Sequence, residues 1–279
     1  MLPTLIARTA PAYIKTAAAL IIGDEILTGK TLDRNSHYFA QYCFELGIDL
    51  KRVEVIPDDE NDIIEASRRL VNKYDLVVTS GGIGPTHDDI TYASIAKSFH
   101  RPLAYHTETL ARMDARPSAV AHRTEEQRTA QKRMALFPEG AEVLFVAGDL
   151  WVPVVRVQGK LCIFPGIPSL FQKMLDGLKP YLSLPPPDAR PRRVQVFTSF
   201  PESFIAPYLT HLQARVRAEG IRIGSYPVLQ RGVYVSLIGI NHERVASIAV
   251  EVERELQGKV VREGAKGSNL GQASDQRDS

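Results

Sequence analysis

Ser80-Gly81-Gly82-Ile83-Gly84-Pro85-Thr86-His87-Asp88-Asp89-Ile90-Thr91 follows directly on the apolar run Leu76-Val77-Val78. A short β-branched run that opens into three glycines reads as a buried parallel strand ending in a loop whose backbone N–H groups can approach a phosphate. Two carboxylates come next, Asp88 and Asp89. Beside a phosphate cradle they repel an anionic ligand unless a divalent cation or a proton-transfer step requires them. The stretch therefore points to an α/β sheet carrying phosphate chemistry with metal.

Outward from this loop, apolar β-rich runs alternate with helix-period segments: Ala17 to Ile22, Arg34 to Leu46, Lys51 to Ile56, Asn61 to Lys73, Asp75 to Thr79, then Ile90 to Phe99. Such a βαβαβα series predicts a parallel sheet covered on both faces. Asp33 is the expected cap of the helix that Gly47 ends, and Asn61 the cap of the helix whose stripe is Ile63, Ile64, Leu70 and Val71. From His100 to Met134 the chain is polar with a thin apolar face, which reads as an exposed helical excursion. Phe137 to Gly140 reads as a turn, Val152–Val157 and Leu161–Phe164 as a strand pair, and Ser169–Leu178 as a helix. The proline-rich stretch 184–191 is stiff and poorly able to join a sheet, so it reads as a linker. Beyond it the pattern is βαββα, a small α+β domain. The expected organisation is a flexible extension over residues 1–15, an α/β domain over 16–183, the linker, the small domain over 192–263 and a disordered tail over 264–279.

The 279 residues, 44% hydrophobic, suffice for a substantial core. A net charge of +2, from 34 basic and 32 acidic residues, gives no broad electrostatic reason to expect a nucleic-acid or membrane partner. The two cysteines, Cys43 and Cys162, form no metal-ligand pattern and read as free buried thiols in a reducing compartment. No apolar stretch is long enough to span a bilayer. The expectation is a cytoplasmic protein, although Arg8 and Lys15 give the first residues a weak likeness to a mitochondrial presequence.

Ligands of open parallel sheets bind beyond the carboxyl ends of the strands. In this chain those ends carry Gly23-Asp24-Glu25, Pro57-Asp58-Asp59-Glu60, the Gly81 loop and Pro165-Gly166-Ile167-Pro168. Gly23 to Thr31 looks like a P-loop but has five residues between its glycines where that motif has four, and its acids stand where phosphate would sit. Lys30 is left as an exposed loop lysine.

Together these segments resemble the MoaB/Mog-type molybdopterin-binding fold and, within it, the CinA-like branch. The resemblance rests on Ile21 to Ser36, Val55 to Ala66, the Ser80–Thr91 loop, Phe164 to Pro168, Glu202-Ser203 and Gly224 to Pro227. It extends to short fungal relatives and to the N-terminal domain of eukaryotic FAD synthase. It implies a three-layer parallel-sheet domain, catalytic roles for Asp89 and Asp58, and a match of Asn35 to that branch's asparagine near the first helix. It also implies metal-dependent cleavage of nucleotide pyrophosphates such as ADP-ribose or FAD, and a habit of assembling as dimers or trimers. Neither the deamidase domain of CinA nor the adenylyltransferase domain that makes FAD is present, so FAD synthesis is not expected of this polypeptide alone.

In the resulting picture a divalent ion (Mg, Mn or Co) is held by Asp24, Asp58 and Asp89. Gly81, Gly82, Gly84, Thr86, Asn35 and Gly166 bind phosphate or substrate, and a carboxylate orients a water for in-line attack. Each role has a structural rival: Asp88 can cap the next helix and Asp89 can answer its dipole, worth ~1 kcal/mol without any catalysis. Asp59 and Glu60 read as a solvated turn and His87 as a lone loop histidine. Two other functions compete with a pyrophosphatase. One is a molybdopterin-binding adenylyltransferase, against which Thr86-His87-Asp88 places an acid where the Mog loop has arginine. The other is a non-catalytic ligand-binding protein or scaffold.

Overall fold

The computed structural model describes residues 13–115 and 124–261. Arg8, the greater part of the expected extension and the expected tail fall outside those residues. The chain divides between Pro185 and Pro186 into two units, each with its own core.

In the first unit, β1 (Thr16–Ile22) leads through the single-turn α1 (Asp24–Leu27) and α2 (Asn35–Leu46) to β2 (Asp49–Ile56); α3 (Glu60–Lys73) follows, then β3 (Leu76–Ser80) and α4 (Thr91–Ser98). The excursion holds β4 (Leu103–Tyr105), α5 (Thr107–Asp114), α6 (Glu125–Arg133) and β5 (Leu136–Pro138), and the sheet resumes with β6 (Glu142–Leu144), β7 (Val154–Val157), β8 (Leu161–Phe164) and α7 (Pro168–Leu178). Among the described residues the main sheet runs β2-β1-β3-β8-β7-β6. Its first four strands are parallel; β7 alone runs against them, pairing antiparallel with β8 on one side and with β6 on the other. The expected strand pair joined at Gln158-Gly159-Lys160 is the β7–β8 pair: three residues suffice for a hairpin but not for a crossover. β1 and β3 are buried almost throughout, as strands covered on both faces must be. Tyr38 of α2 donates to Asp176 of α7 at 2.7 Å, and the hydroxyls of Ser67 in α3 and Ser98 in α4 meet at 2.8 Å, so the helices are tied in two pairs. Cys43 on α2 and Cys162 on β8 are free thiols inside this core.

Local chemistry sets the helix ends. The Asp33 carboxylate accepts from the N–H groups of Asn35 and Ser36 and Gly47 closes α2 with φ 73°, as expected. For α3 the cap is Asp59, which accepts from Asn61 and Asp62; Asn61 is already inside the helix, and Asp59 is more than a solvated turn residue. The polar excursion contains a small antiparallel pair, β4 with β5, so Phe137 and Pro138 belong to a strand rather than to a turn. Ile14 and Lys15 are bound to the domain, Ile14 through its N–H to the Ser183 carbonyl and Lys15 through its carbonyl to the Asp49 N–H.

The second unit comprises β9 (Arg192–Thr198), α8 (Glu202–Val216), β10 (Arg222–Val228), β11 (Gly232–Gly239), α9 (His242–Glu255) and β12 (Lys259–Val261). Its sheet runs β10-β11-β9-β12 and is antiparallel. Val196, Ile205, Leu212, Val235, Leu237 and Ile248 form its core. The βαββα expectation lacked β12, whose three half-exposed residues show no apolar alternation.

Candidate active site

Because β2, β1, β3 and β8 are parallel neighbours, their carboxyl ends lie along one edge of the sheet. The four strand endings singled out in the sequence are therefore brought together.

Gly81 starts the loop with φ 111° and its N–H donates to the Phe164 carbonyl at 3.2 Å. A Cβ there would stand 2.0 Å from the Ile22 carbonyl oxygen, far inside contact distance, so only glycine lets β3 leave the sheet past β1. Gly82 has φ 64°, and a Cβ would meet the Thr91 hydroxyl oxygen at 2.3 Å and Asp58 Oδ1 at 3.3 Å. Thr91 fastens the loop, its hydroxyl donating to Gly81 O and its N–H to Gly82 O, both at 3.0 Å. Gly166 packs against Gly81, an added Cβ lying 3.4 Å from the Gly81 Cα.

Asn35 ties the same edge from α2. Its Nδ2 donates to Ser80 Oγ and to the Gly166 carbonyl, each at 2.8 Å. The residue is 5% exposed, and its Oδ1 has no protein partner.

Asp58 follows β2, with Oδ2 accepting the Asp24 N–H at 3.1 Å. Burial pushes its carboxyl above the usual range; the charges of Asp24, Glu25 and Asp88 add to the rise, while the Asp24 N–H opposes it. Asp58 thus lies in the field of three other carboxylates. Asp89 is turned elsewhere. Its Oδ1 accepts from Gly84 N–H at 2.6 Å and its Oδ2 from Thr86 N–H at 2.9 Å and from the Thr86 hydroxyl. Gly84 is required for that closure, since a Cβ would lie 2.6 Å from Asp89 Oδ2. Asp88 does not cap α4, whose first turn receives no side-chain bond. His87 is exposed on the loop.

Among the described residues no three His, Cys, Asp or Glu side chains form a group able to hold a metal ion by themselves, so Asp24, Asp58 and Asp89 do not close into a cage as folded. Asp58 and Asp24 offer hard oxygen donors, the ligand type that Mg²⁺-type ions take, but too few to hold one without further ligands. Sequence reasoning gave no role to Ser80 or Thr91, both within the quoted loop. Their signal was a buried hydroxyl at each end of a glycine turn.

The first unit is thus an α/β domain with a mostly parallel sheet that brings a glycine loop, a buried asparagine and carboxylates to one edge. Residues 18–183 match the probable molybdopterin binding domain, and residues 192–264 match the middle domain of FAD synthase. The chain belongs to that molybdopterin-binding family, in its CinA-like branch. It is 30% identical over 267 residues to a probable FAD synthase of Caenorhabditis elegans, covering 88% of this chain and 51% of that one. The chain spans about half the length of this relative. A CinA-like protein of Mycobacterium sp. (strain JLS) is 35% identical over 164 residues, covering 57% of this chain and 39% of its own. The crystal structure of a CinA protein of unknown function from Thermoplasma acidophilum superposes with a TM-score of 0.53 at 29% identity, covering 60% of this chain and 98% of that one. Among the described residues no helix is long and apolar enough to cross a membrane.

Proposed function

We propose that this chain cleaves the pyrophosphate bond of a dinucleotide such as FAD or ADP-ribose, assisted by a divalent ion. The observation that carries the reading is the meeting, on one sheet edge, of the glycine loop with the Asp58 carboxylate group. Loop N–H groups near Gly82 would orient a phosphoryl oxygen, as backbone nests do. Asp58 would take the proton of a water that attacks phosphorus; the new P–O bond forms as the bridging P–O bond breaks, and two monophosphates leave. Asp24 with Asp58 would hold the ion. When bound, that ion supplies neutralisation of the charge developing on the phosphoryl oxygens. Asp89 holds the loop in shape by fixing Gly84 and Thr86. The relation to FAD synthase supports a nucleotide ligand.

Purified protein with Mg²⁺, Mn²⁺ or Co²⁺ is expected to release AMP from FAD or ADP-ribose. Asp58→Ala should lower the rate at least about a hundredfold, the scale of a lost general base. Absence of AMP with every metal overturns the reading. The family match over residues 18–183 favours a second one, molybdopterin binding. It predicts pterin affinity, measured by calorimetry, without pyrophosphate cleavage.

A further inference from the structure

In the second unit, Val196, Val235 and Leu237 of the sheet share an apolar cluster with Leu212 of α8 and Ile248 of α9. Alternation sends the neighbouring residues of each strand to the opposite face. Since α8 and α9 both pack on the first face, neither covers this other one. A single row of residues crosses it over all four strands. Tyr226 on β10 is paired with Tyr234 on β11, Tyr234 with Phe197 on β9, and Phe197 with Lys259 on β12; residues directly opposite in an antiparallel sheet share a face. The Phe197 and Tyr234 ring centroids are 4.9 Å apart and the rings are tilted by 53°. Tyr226 is 49% exposed and leans along its strand over Gly224, where an added Cβ would stand 3.2 Å from its hydroxyl. The three rings are neighbours, and none belongs to the apolar cluster of the unit.

Charge on this face has one sign. The four strands contain no Asp or Glu, and the same pairing puts Arg222 and Arg193 on the face with Lys259. The net charge of +2 over the whole chain conceals this local excess. Aromatic rings set among basic residues suit a polyanion that also presents flat bases. With adjacent strands ~4.8 Å apart, the rings from Tyr226 to Phe197 span about 10 Å, more than one base covers. A free mononucleotide would therefore leave rings unused, and a duplex would hide its base faces. An acidic peptide would answer the charge and bring nothing flat to the rings. We propose that this helix-free face binds single-stranded nucleic acid, with successive bases stacked on Tyr226, Tyr234 and Phe197 and phosphates directed to Lys259, Arg193 and Arg222. Four-stranded sheets that bind single-stranded RNA stack two or three bases on their aromatics in this way. The inference is independent of the pyrophosphatase reading, because it uses no residue of the glycine-loop edge.

The test is fluorescence anisotropy of a labelled single-stranded RNA of mixed sequence, about twelve nucleotides long, titrated with the unaltered full chain in ~50 mM salt. Saturable binding is expected, at least about tenfold tighter than that of the same sequence as a duplex. Tyr226→Ala and Tyr234→Leu should each weaken the single strand about five- to a hundredfold, with circular dichroism and thermal unfolding showing that the variants fold. Lys259→Gln should lower the slope of log affinity against log salt by about 0.7, the contribution of one phosphate contact on a single strand. Absence of binding, equal affinity for the duplex, or full affinity in both ring variants overturns the proposal. AMP bound as tightly as the oligonucleotide, and lost in Tyr226→Ala, would make the face a mononucleotide site and overturns it as well. Self-association that the ring variants abolish, without RNA binding, would make it an interface between copies of the chain and has the same consequence.

Discussion

An alanine methyl at Gly81 would stand 2.0 Å from the Ile22 carbonyl oxygen, on a residue already at φ 111°. Backbone strain and overlap add here, so Gly81→Ala is expected to destabilise the first unit by about 2–4 kcal/mol in denaturant unfolding. Asp89 carries a different expectation. Its oxygens hold Gly84 and Thr86, so Asp89→Asn, which keeps one acceptor oxygen, should retain more activity than Asp89→Ala. Equal loss in the two variants would point to a charge requirement instead. At this scale the sequence was legible in residue type and less so in partner. Gly81, Gly82 and Gly166 were recognisable because a glycine-rich strand ending has few other uses, whereas the direction of the Asp89 side chain depends on a loop closure that spacing does not encode.

Among the elements, α3 shows how one residue displaces a boundary. Asp59, Glu60 and Asn61 all suit a helix start, and the extended backbone of Asp59 with its two accepted N–H bonds settles the cap. Asp59→Ala should cost ~1 kcal/mol of stability, and Asn61→Ala much less. Arg69 on α3 bonds Glu54 on β2, and with Arg52 it holds the Glu54 carboxyl below its usual range, against the opposing effect of burial. A depressed native carboxyl stabilises the fold above its unfolded value and loses that contribution as pH falls through the native one. Glu54→Gln should therefore be less stable than the parent by about 1 kcal/mol or less at neutral pH, a partly exposed pair being screened. The gap should close in acid, as read from unfolding midpoints between pH 7 and pH 2. The long buried strands and amphipathic helices were readable from period alone. β4, β6 and β12 were not, because three residues are too few to display alternation and their strand character comes from partners distant in sequence.

Each unit of the molecule buries a separate apolar cluster, and the chain divides at the prolines between them. Residues 1–185 and 186–279, made separately, should each show cooperative thermal unfolding and dispersed amide spectra, as autonomous cores do. A fragment lacking both features would show that its core depends on the other. The first of these cores also contains its own chemical clock. Burial pushes the Cys162 thiol up to about 12 and the Cys43 thiol higher still, so the folded state presents almost no thiolate to an alkylating reagent. Modification must wait for the sheet or its covering helix to open. The rate at which a maleimide or disulfide reagent consumes each thiol then measures the free energy of that opening without added denaturant, and unequal rates at Cys43 and Cys162 would separate the loosening of α2 from the parting of β8.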